Sequence, residues 1–397
     1  MANVSSSNGL EKRPKLRFPG FDEPYKQCRI GDIYAERSQR GASDMELLSV
    51  TMNDGVKPRS EIEGKDNSSE DKSNYKIVRK GDMVYNSMRM WQGANGISPC
   101  DGIVSPAYTV LMPKQEINNG YFAALFKSAN LINEFRKNSQ GMTSDTWNLK
   151  YPQIETIKVQ IPSVSEQDKV SELFGVLDAR IVAQAQLVES LKKYKRGLLH
   201  DVLSEKIKIT TETWTEHRIG EFLHSKNIKQ LPTTDAPLMA FTATGGVCDK
   251  GERYDRGFLV KDASSKLYKR TDLNDFIYSS NNLDVGSIGL NLYGSAVISD
   301  VYEIFSIKDA DPWFISEAIK QKPIMCRILK YRQGCLYGQY RIYAEDFLGV
   351  SVKIPSYEAQ KKIGAVFSKI DGKITQEQIL LDCLEKARTF FLQQLFI

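Results

Sequence analysis

Two long stretches of the chain carry apolar residues at alternating steps of three and four. The first covers residues 170–202 and the second covers residues 363–395. An apolar period of 3.5 residues is typical of helices that pack side by side in a coiled coil. Each stretch therefore predicts a long helix with one apolar seam, and we expect the two seams to pack on each other. The residues predicted to pair the helices are Phe174, Ile181, Val188, Leu191, Phe367, Ile374, Leu381 and Leu384.

The two seams belong to a sequence repeat. Val159-Gln-Ile-Pro162 followed by Gln167 returns as Val352-Lys-Ile-Pro355 followed by Gln360, an offset of 193 residues from Val159 to Val352. The same offset relates the apolar positions of the two seams without a gap. An ordinary amphipathic surface helix would also show helical spacing, but it would not explain why the pattern recurs at a fixed register.

The repeat continues upstream of each helix into a globular region. Asp82-Met-Val-Tyr85 matches Asp275-Phe-Ile-Tyr278, and Gln140-Gly141 matches Gln333-Gly334 at the same offset. Between these anchors the two regions differ freely, which is the pattern of one scaffold that carries two different surfaces. The predicted domains are a disordered lead at 1–13, a globular domain at 14–156, a helix at 157–205, a second globular domain at 206–349 and a second helix at 350–397.

Each globular region combines strand and helix patterns. Apolar runs bounded by Gly-Asp and Asp-Gly turns predict strands within 77–90 and 103–112. Apolar residues at helical spacing predict one helix over 121–135. The predicted fold class is α/β (α+β), with two globular domains separated by two long helices that form an antiparallel coiled coil, and with an internal two-fold repeat.

Composition narrows the class of protein only slightly. A chain of 397 residues should hold two or more domains, and it contains no run of about 18 apolar residues that could span a membrane. The Ser- and Asn-rich start lacks the apolar core of a signal peptide. The six cysteines form no C-x-x-C pair and the three histidines give no zinc spacing, so we expect no metal site and a cytoplasmic location. The net charge of +5 permits a polyanionic partner without demanding one.

The sequence carries no common signature of a catalytic or cofactor-binding loop. The phosphate-binding loop, the dinucleotide-binding glycine motif, the nucleophile elbow and the zinc-protease motif are all missing from it. Asp311-Pro-Trp-Phe314 resembles the Asp-Pro-Pro-Tyr-type motif of amino-methyltransferases, in which a polar residue and a stacked aromatic hold an extruded base. Aspartate followed by proline is also a common helix start, and Asn118 stands at the equivalent repeat position. We therefore interpret Asp311 as a helix cap and predict no catalytic residue and no cofactor site in this chain.

Polar clusters at strand ends and turns predict a different kind of site. Arginine, asparagine and glutamine bond bidentately to the edges of guanine and adenine, and hydroxyl side chains reach phosphates. The candidate DNA-binding residues are Arg89, Gln92, Gln140 and Thr143 in the first globular region and Asn281, Arg332, Gln339 and Arg341 in the second. Strand ends and turns are polar in most proteins, so each cluster taken alone also fits an ordinary surface. Their recurrence at equivalent places in two divergent regions is what favours DNA reading.

Several motifs also match a known family. They are Pro14-Lys-Leu-Arg-Phe-Pro-Gly-Phe21, the Ile-Pro-x-x-x-x-Gln segments at Ile161 and Ile354, Leu177-Asp178-Ala-Arg-Ile181 with its less faithful counterpart Ile370-Asp371-Gly-Lys-Ile374, and Tyr194-Lys-Arg-Gly-Leu-Leu199. On these residues the chain resembles the specificity subunits of type I restriction-modification systems over nearly its whole length. Ala387-Arg-Thr-Phe-Phe-Leu392 departs from the family pattern at the end of the second helix.

The resemblance implies both a fold and a function. It implies two target recognition domains, at 14–156 and 206–349, each reading one half of a split sequence in double-stranded DNA, and an antiparallel helix pair that holds them apart. It implies two modification (methyltransferase) subunits that supply the S-adenosylmethionine chemistry. It also implies restriction (translocase/nuclease) subunits that use ATP and Mg. A stand-alone DNA amino-methyltransferase using 311–314, and a coiled-coil adaptor without a nucleic-acid role, remain as alternatives.

Overall fold

Two compact units make up the chain. In the computed structural model the described residues are 2–3, 13–41, 44–52, 54–242, 245–249, 266–281, 283, 287–336 and 339–397, and the side chains of residues 2, 3, 335, 336 and 339 lie outside this description. Unit 1 comprises Met1–Leu187 and Glu377–Ile397, and unit 2 comprises Val188–Gln376. The disordered lead predicted at 1–13 falls outside the described residues, except for residues 2, 3 and 13.

Unit 1 contains two four-stranded sheets. The first has the order Tyr34–Glu36, Tyr108–Pro113, Met83–Asn86, Asn95–Ile97, with antiparallel neighbours throughout. The second has the order Gly55–Pro58, Leu47–Thr51, Gly102–Val104, Lys76–Val78, and its central pair is parallel. Two further antiparallel pairs join Lys26–Arg29 to Lys158–Ile161 and Ala2–Asn3 to Leu16–Arg17. The short helices are Ile30–Ile33, Arg59–Glu61, Met90–Gln92, Asn119–Leu125, Ala129–Asn138 and Tyr151–Ile154.

Aromatic rings packed edge to face form the centre of the unit 1 core. Phe122 and Phe126 lie 6.2 Å apart between ring centroids, on a buried helix face. Phe396, from the end of the chain, meets Tyr121 edge-on at 5.4 Å and stacks on Phe174 at 5.9 Å. The last residues of the sequence therefore complete the core of the first globular unit.

Unit 2 contains a four-stranded antiparallel sheet and a three-stranded sheet. The first has the order Leu223–Ser225, Tyr302–Ile307, Phe276–Ser279, Ile288–Leu290, and the second has the order Lys229–Gln230, Tyr268–Thr271, Ala296–Ile298. Two-stranded pairs join Thr215–Arg218 to Ser351–Ile354, Ala240–Thr242 to Gly246–Cys248, and Gln333–Leu336 to Gln339–Arg341. The short helices are Ile219–Glu221, Pro312–Ile319, Lys322–Ile328, Leu329–Tyr331 and Ala344–Leu348.

Some predicted elements of unit 1 are divided by local signals. The single helix predicted over 121–135 was wrong, because Ser128 caps a second helix there by accepting a hydrogen bond from a backbone N–H. The strand predicted within 103–112 is two strands, since a turn closed by a hydrogen bond from Tyr108 N to Ser105 O separates them. The turn predicted at Gly81-Asp82 is confirmed, since it separates the strands Lys76–Val78 and Met83–Asn86 and Gly81 has a φ of +90°.

A buried aspartate explains the Asp-x-x-Tyr motif in each unit. Asp82 accepts a hydrogen bond from Arg79 N at 2.8 Å and pairs with the Arg37 guanidinium at 2.7 Å. In unit 2, Asp275 accepts from Asp272 N at 2.7 Å and pairs with Lys226 at 2.7 Å. Burial alone would raise the pKa of Asp272, but hydrogen bonds donated by Lys226, Ser295 and Arg270 outweigh it and hold that pKa well below its usual value. The carboxylates of Asp82 and Asp275 therefore each close the turn that starts a central strand.

A buried glutamine ties the start of each long helix to the structure beside it. Gln167 donates to the carbonyl of the proline five residues before it at 3.1 Å and accepts from Asn118 N at 3.0 Å. Gln360 donates to its own preceding proline carbonyl at 2.9 Å and accepts from Asp311 N at 2.9 Å. One amide side chain thereby satisfies two backbone groups that would otherwise be buried without partners. This double role explains why the Ile-Pro-x-x-x-x-Gln spacing occurs twice.

The two predicted long helices are present, as Val164–Leu203 and Tyr357–Gln394. Of the predicted pairing residues, four are buried and four are partly exposed. The buried ones are Phe174, Val188, Phe367 and Leu381, and the others are Ile181, Leu191, Ile374 and Leu384. In the middle of the seam, Val188 is 2% exposed whereas Leu187 is 42% exposed. Burial therefore follows the steps of three and four that the sequence shows. Among the described residues, no helix has the length and apolarity needed to cross a membrane.

Polar contacts join the two helical segments inside each unit. In unit 1 the Arg388 guanidinium pairs with Asp178 at 2.5 Å, and the Gln184 amide donates to the Glu377 carboxylate at 2.5 Å. Residue numbers rise on one segment while they fall on the other, so the two segments of unit 1 are antiparallel. In unit 2, Lys195 pairs with Asp371 at 2.6 Å. The continuous coiled coil through the whole chain stays a prediction.

Candidate nucleic-acid interface

In unit 1 the first candidate segment is the turn that follows strand Met83–Asn86. Arg89 N donates to Asn86 O at 2.9 Å, and the short helix Met90–Gln92 follows directly. Gly93 then ends this helix with a φ of +85°, a left-handed conformation that suits glycine. Arg89 and Gln92 are both partly exposed on this tight turn.

The second candidate segment of unit 1 is the loop 139–148. Gln140 and Asn148 exchange two backbone hydrogen bonds, of 3.0 and 2.8 Å, which close the loop at its base. Near the tip, Thr146 N donates to Thr143 O at 3.0 Å, and the Thr146 hydroxyl donates to the same oxygen at 2.9 Å. Gln140 and Thr143 are exposed. The loop is therefore a closed, hydrogen-bonded structure with polar groups on its surface.

These two segments lie side by side. Leu149 N donates to Ser87 O at 2.8 Å, and the rings of Trp91 and Trp147 meet edge to face with centroids 5.2 Å apart. The exposed Arg136 guanidinium lies 5.7 Å from the centroid of Trp91. The structure thus brings the turn carrying Arg89 and Gln92 against the loop carrying Gln140 and Thr143. The sequence prediction missed Arg136 and Trp147, although a tryptophan within a polar loop is a signal that could have indicated them.

A further cation borders this surface. The Lys127 side chain packs against Gly93, where a Cβ would lie 3.4 Å from the lysine Cγ. Burial lowers the pKa of Lys127, and the positive charge of Arg388 lowers it further. Lys127 therefore places a partly desolvated ammonium group beside the turn that carries Arg89 and Gln92.

In unit 2 three of the four predicted residues come together. Asn281 and Arg341 face each other as an isolated antiparallel bridge, and Gln333 pairs with Arg341 in the hairpin beside it. The Arg332 guanidinium lies over the Tyr340 ring at 4.8 Å from its centroid. Asn281, Arg332 and Arg341 are all exposed. The side chain of Gln339 lies outside the described residues, so its predicted role stays a prediction.

Arg341 already has an acidic partner. Its guanidinium pairs with Glu303 at 3.2 Å and also lies over the Tyr343 ring at 5.1 Å. The same carboxylate accepts a hydrogen bond from Lys269 at 3.0 Å, so Glu303 keeps a cation partner if Arg341 leaves. An exposed ion pair contributes about 0–1 kcal/mol, so Arg341 can exchange it for a guanine edge at small cost.

The tetrapeptide that resembles a methyltransferase motif has a structural role. The Asp311 carboxylate accepts a hydrogen bond from Phe314 N at 2.8 Å, as the N-cap of helix Pro312–Ile319. Phe314 is fully buried, and Trp313 stacks on Phe367 with ring centroids 5.0 Å apart. The interpretation of Asp311 as a cap is confirmed. Within the described residues no group of three or more His, Cys, Asp and Glu side chains could hold a metal ion.

Comparisons with known proteins found one family model and several solved structures that match this chain. The family model for the type I restriction modification DNA specificity domain matches residues 23–193. The fold is similar to that of the type I restriction-modification system S subunit from M. genitalium, at 16% identity over 97% of this chain and 99% of that chain, with a TM-score of 0.60. It is also similar to a chain from a structure of type I R-M complex assembly and conformational transition, at 13% identity over 96% and 99% of the two chains, with a TM-score of 0.53. A search of curated proteins found no match.

The family match and the geometry concern the same part of the chain. Residues 23–193 include the turn with Arg89, the loop 139–148 and most of the first long helix. The structural similarities, at these low identities, add that the fold is shared. The chain therefore carries a type I restriction modification DNA specificity domain at residues 23–193.

Proposed function

We propose that this chain reads a two-part DNA target for a type I restriction-modification complex, with one globular unit for each half-site. The observation that carries the proposal is the match of residues 23–193 to the DNA specificity domain. Within that range the partly exposed Arg89 and Gln92 and the exposed Gln140 and Thr143 occupy two segments that touch each other. Arginine and glutamine on a rigid turn are suited to bidentate contacts with base edges.

Equivalent elements support a second reading surface in unit 2. Strand Phe276–Ser279 ends just before Asn281, as strand Met83–Asn86 ends before Arg89. The Gln-Gly pair opens the loop 139–148 in unit 1, and Gln333-Gly334 opens a hairpin in unit 2. We infer two copies of one recognition module whose surface residues differ, so that each copy reads different bases.

The long helices would act as the spacer between the two modules, as an antiparallel coiled coil. The ion pair of Asp178 with Arg388 and that of Asp371 with Lys195 support this pairing, because they involve equivalent positions of the repeat. A helix of about 38–40 residues is about 57–60 Å long. Half-sites about one helical turn of DNA apart, on one face of the duplex, fit such a spacer.

The proposal extends to partners and cofactors. Two modification (methyltransferase) subunits would bind S-adenosylmethionine and transfer the methyl group, and restriction subunits would use ATP and Mg to move and cleave DNA. This chain would contribute sequence recognition and a scaffold for these subunits, without a catalytic residue of its own. Its proposed location is the cytoplasm, where the DNA of a restricting cell is found.

Mapping of methylated sites tests the proposal. In a host that carries the complete system, Arg89→Ala should relax one position of a single half-site and weaken binding by about 1–3 kcal/mol, and Arg341→Ala should do the same for the other half-site. Arg79→Ala is the matched control, because Arg79 is an exposed arginine of unit 1 that pairs with Asp101 and lies outside the candidate segments.

Four outcomes would contradict the proposal. An unchanged target in both variants would remove the assigned base contacts, and loss of both half-sites from one substitution would argue against independent modules. Methyl transfer by the purified chain alone, with S-adenosylmethionine, would instead establish a stand-alone methyltransferase. DNA binding without a steep fall in affinity at higher salt would favour an adaptor role, because phosphate contacts make binding salt-dependent.

A further inference from the structure

The tip of the loop 139–148 carries one apolar side chain. Met142 is 99% exposed, more than any other exposed large hydrophobic side chain in the described part of the chain. Single exposed hydrophobic residues are common on proteins, so exposure alone indicates little. The stiffness of the loop and its position on unit 1 are what give Met142 a meaning.

The loop holds Met142 in a defined position. Gly141 precedes it with a φ of +148°, and a Cβ at Gly141 would lie 2.6 Å from Thr146 O. Only glycine therefore allows the two sides of the loop to approach this closely. The bonds between Thr143 and Thr146, and those between Gln140 and Asn148, close the loop above and below this point. An exposed side chain on such a loop loses little backbone freedom on binding.

The base of the loop joins it to the candidate reading turn. Trp147 packs on Trp91, which follows Arg89 by two residues. The Arg136 guanidinium lies over the Trp91 ring. Groups that can bond to base edges therefore adjoin the methionine in its loop, and the Arg136 cation lies near the base of that loop. The carboxylate of exposed Asp145 disfavours close approach of the tip to phosphates and can accept a hydrogen bond from the amino group of a cytosine.

We propose that Met142 is a wedge that inserts between two neighbouring base pairs at the half-site read by unit 1. This inference rests on the proposed function and adds a DNA-distorting residue to it. Apolar side chains, methionine among them, partly unstack a base step and kink the duplex when they insert. The unbranched, polarizable thioether adapts to the faces of aromatic rings, as this role requires.

The surroundings of Met142 favour DNA over a protein partner. The core of a protein–protein interface is an apolar patch, and a lone apolar group within a polar rim does not provide one. The neighbours of Met142 in the loop are Gln140, Thr143, Ser144 and Asp145, all polar and exposed. In DNA, one apolar side chain can insert at a single base step while the polar groups around it contact the base edges in the groove.

The sequence repeat makes the wedge specific to one half-site. Position 142 corresponds to Cys335 in unit 2, a smaller residue that fills less of the space between two base pairs. The distortion is therefore expected at the half-site of unit 1 and not at that of unit 2. The second half-site serves as an internal control in the same DNA molecule.

Fluorescence of 2-aminopurine in the DNA tests the wedge. Duplexes with the mapped target carry the probe at each position of both half-sites in turn, and the full chain is bound together with its modification subunits. The wild-type complex should increase fluorescence at one step of the first half-site, because the probe brightens when it unstacks. Met142→Ala should abolish this increase and weaken binding by about tenfold, while Met142→Leu should keep both. Since Met142 is almost fully exposed, all three proteins should unfold at the same temperature.

The outcomes separate the wedge from the proposed function. Specific DNA binding by the wild type without a local fluorescence increase, or with an increase that Met142→Ala retains, overturns the wedge and leaves DNA reading intact. An equal increase at both half-sites also overturns it, because Cys335 would then distort DNA equally. Loss of the modification subunits from the Met142→Ala complex assigns the residue to a protein contact instead. Absence of specific binding by the wild-type complex overturns the proposed function itself.

Discussion

Replacement of the penultimate residue should destabilise the first globular unit. Phe396 is 5% exposed and lies between Phe174 and Tyr121 in the core of unit 1. The change Phe396→Ala removes a ring that those two residues contact, and its position near the end of the chain gives no sign of this importance. Residues at chain termini are otherwise the ones that tolerate substitution best.

The magnitude follows from the buried area and the ring contacts. Truncation to alanine removes on the order of 120 Å² of buried apolar surface from the core. This area corresponds to about 3 kcal/mol at about 25 cal/mol per Å². Each ring contact adds about 0.5–1.5 kcal/mol. The neighbouring side chains can partly relax into the space left behind, so we expect a loss of about 3 kcal/mol, at the lower end of the range for core phenylalanines.

Denaturant unfolding combined with hydrogen exchange measures this loss where it occurs. In Phe396→Ala the amides of helix Asn119–Leu125 should exchange faster by about two orders of magnitude, which is what about 3 kcal/mol means for a local equilibrium. Phe390→Ala is the matched control, because Phe390 lies shortly before Phe396, near the end of helix Tyr357–Gln394, and is 50% exposed. The control should change stability by less than about 1 kcal/mol.

Equal behaviour of the two variants would refute this reasoning. If Phe396→Ala left the exchange of Asn119–Leu125 unchanged, the end of the chain would not belong to the core of unit 1. Faster exchange confined to the last helical turn would mean that the terminus frays without consequence for the globular fold.

Three other changes have defined outcomes. Val188→Ala should lower the free energy of unfolding, measured with denaturant, by about 1–2 kcal/mol, because Val188 is buried. Leu187→Ala should lower it by less than about 0.5 kcal/mol, because Leu187 is exposed. Equal losses in the two variants would contradict the assigned seam. The depressed pKa of Asp272 means that its charged form stabilises unit 2 above about pH 4 and that this contribution is lost as the pH falls through the folded-state pKa. Asp272→Asn should therefore flatten the acid dependence of unfolding, and an unchanged slope would argue against it. Four residues inserted after Leu203, where the first long helix ends, should lengthen the unread gap by about one or two base pairs in a methylation map. A changed half-site with an unchanged gap would mean that this segment reads bases.

Much of the fold was predictable from local patterns. The two long helices follow from apolar steps of three and four, and their starts follow from Pro162 and Pro355. The cap at Asp311 was predictable from the residue types alone, because an N-cap depends only on the next three residues. The prediction of a single helix over 121–135 was wrong because the helical spacing of apolar residues continues across Ser128. The first helix ends before Ser128, and a second helix begins after it.

The candidate site was predictable only in part. Residue chemistry pointed to Arg89 and Gln140, but it could not indicate that their two segments touch. That adjacency depends on Trp91 meeting Trp147, 56 residues apart, and on the bond from Leu149 to Ser87, 62 residues apart. The partner of Arg341, Glu303, was equally hidden, because the two residues lie on different strands.

The sequence by itself determined which residues face a seam, which residues start a helix and which segments recur, because each of these depends on neighbours within one or two turns of the chain. Only the tertiary structure decided that Phe396 belongs to the core of unit 1, that Gln167 and Gln360 each accept a hydrogen bond from a distant backbone N–H, and that Met142 stands alone at the tip of a closed loop. The physical reason is that periodicity records how an element is oriented, whereas packing between elements depends on the shapes and hydrogen-bonding groups that all of them present together.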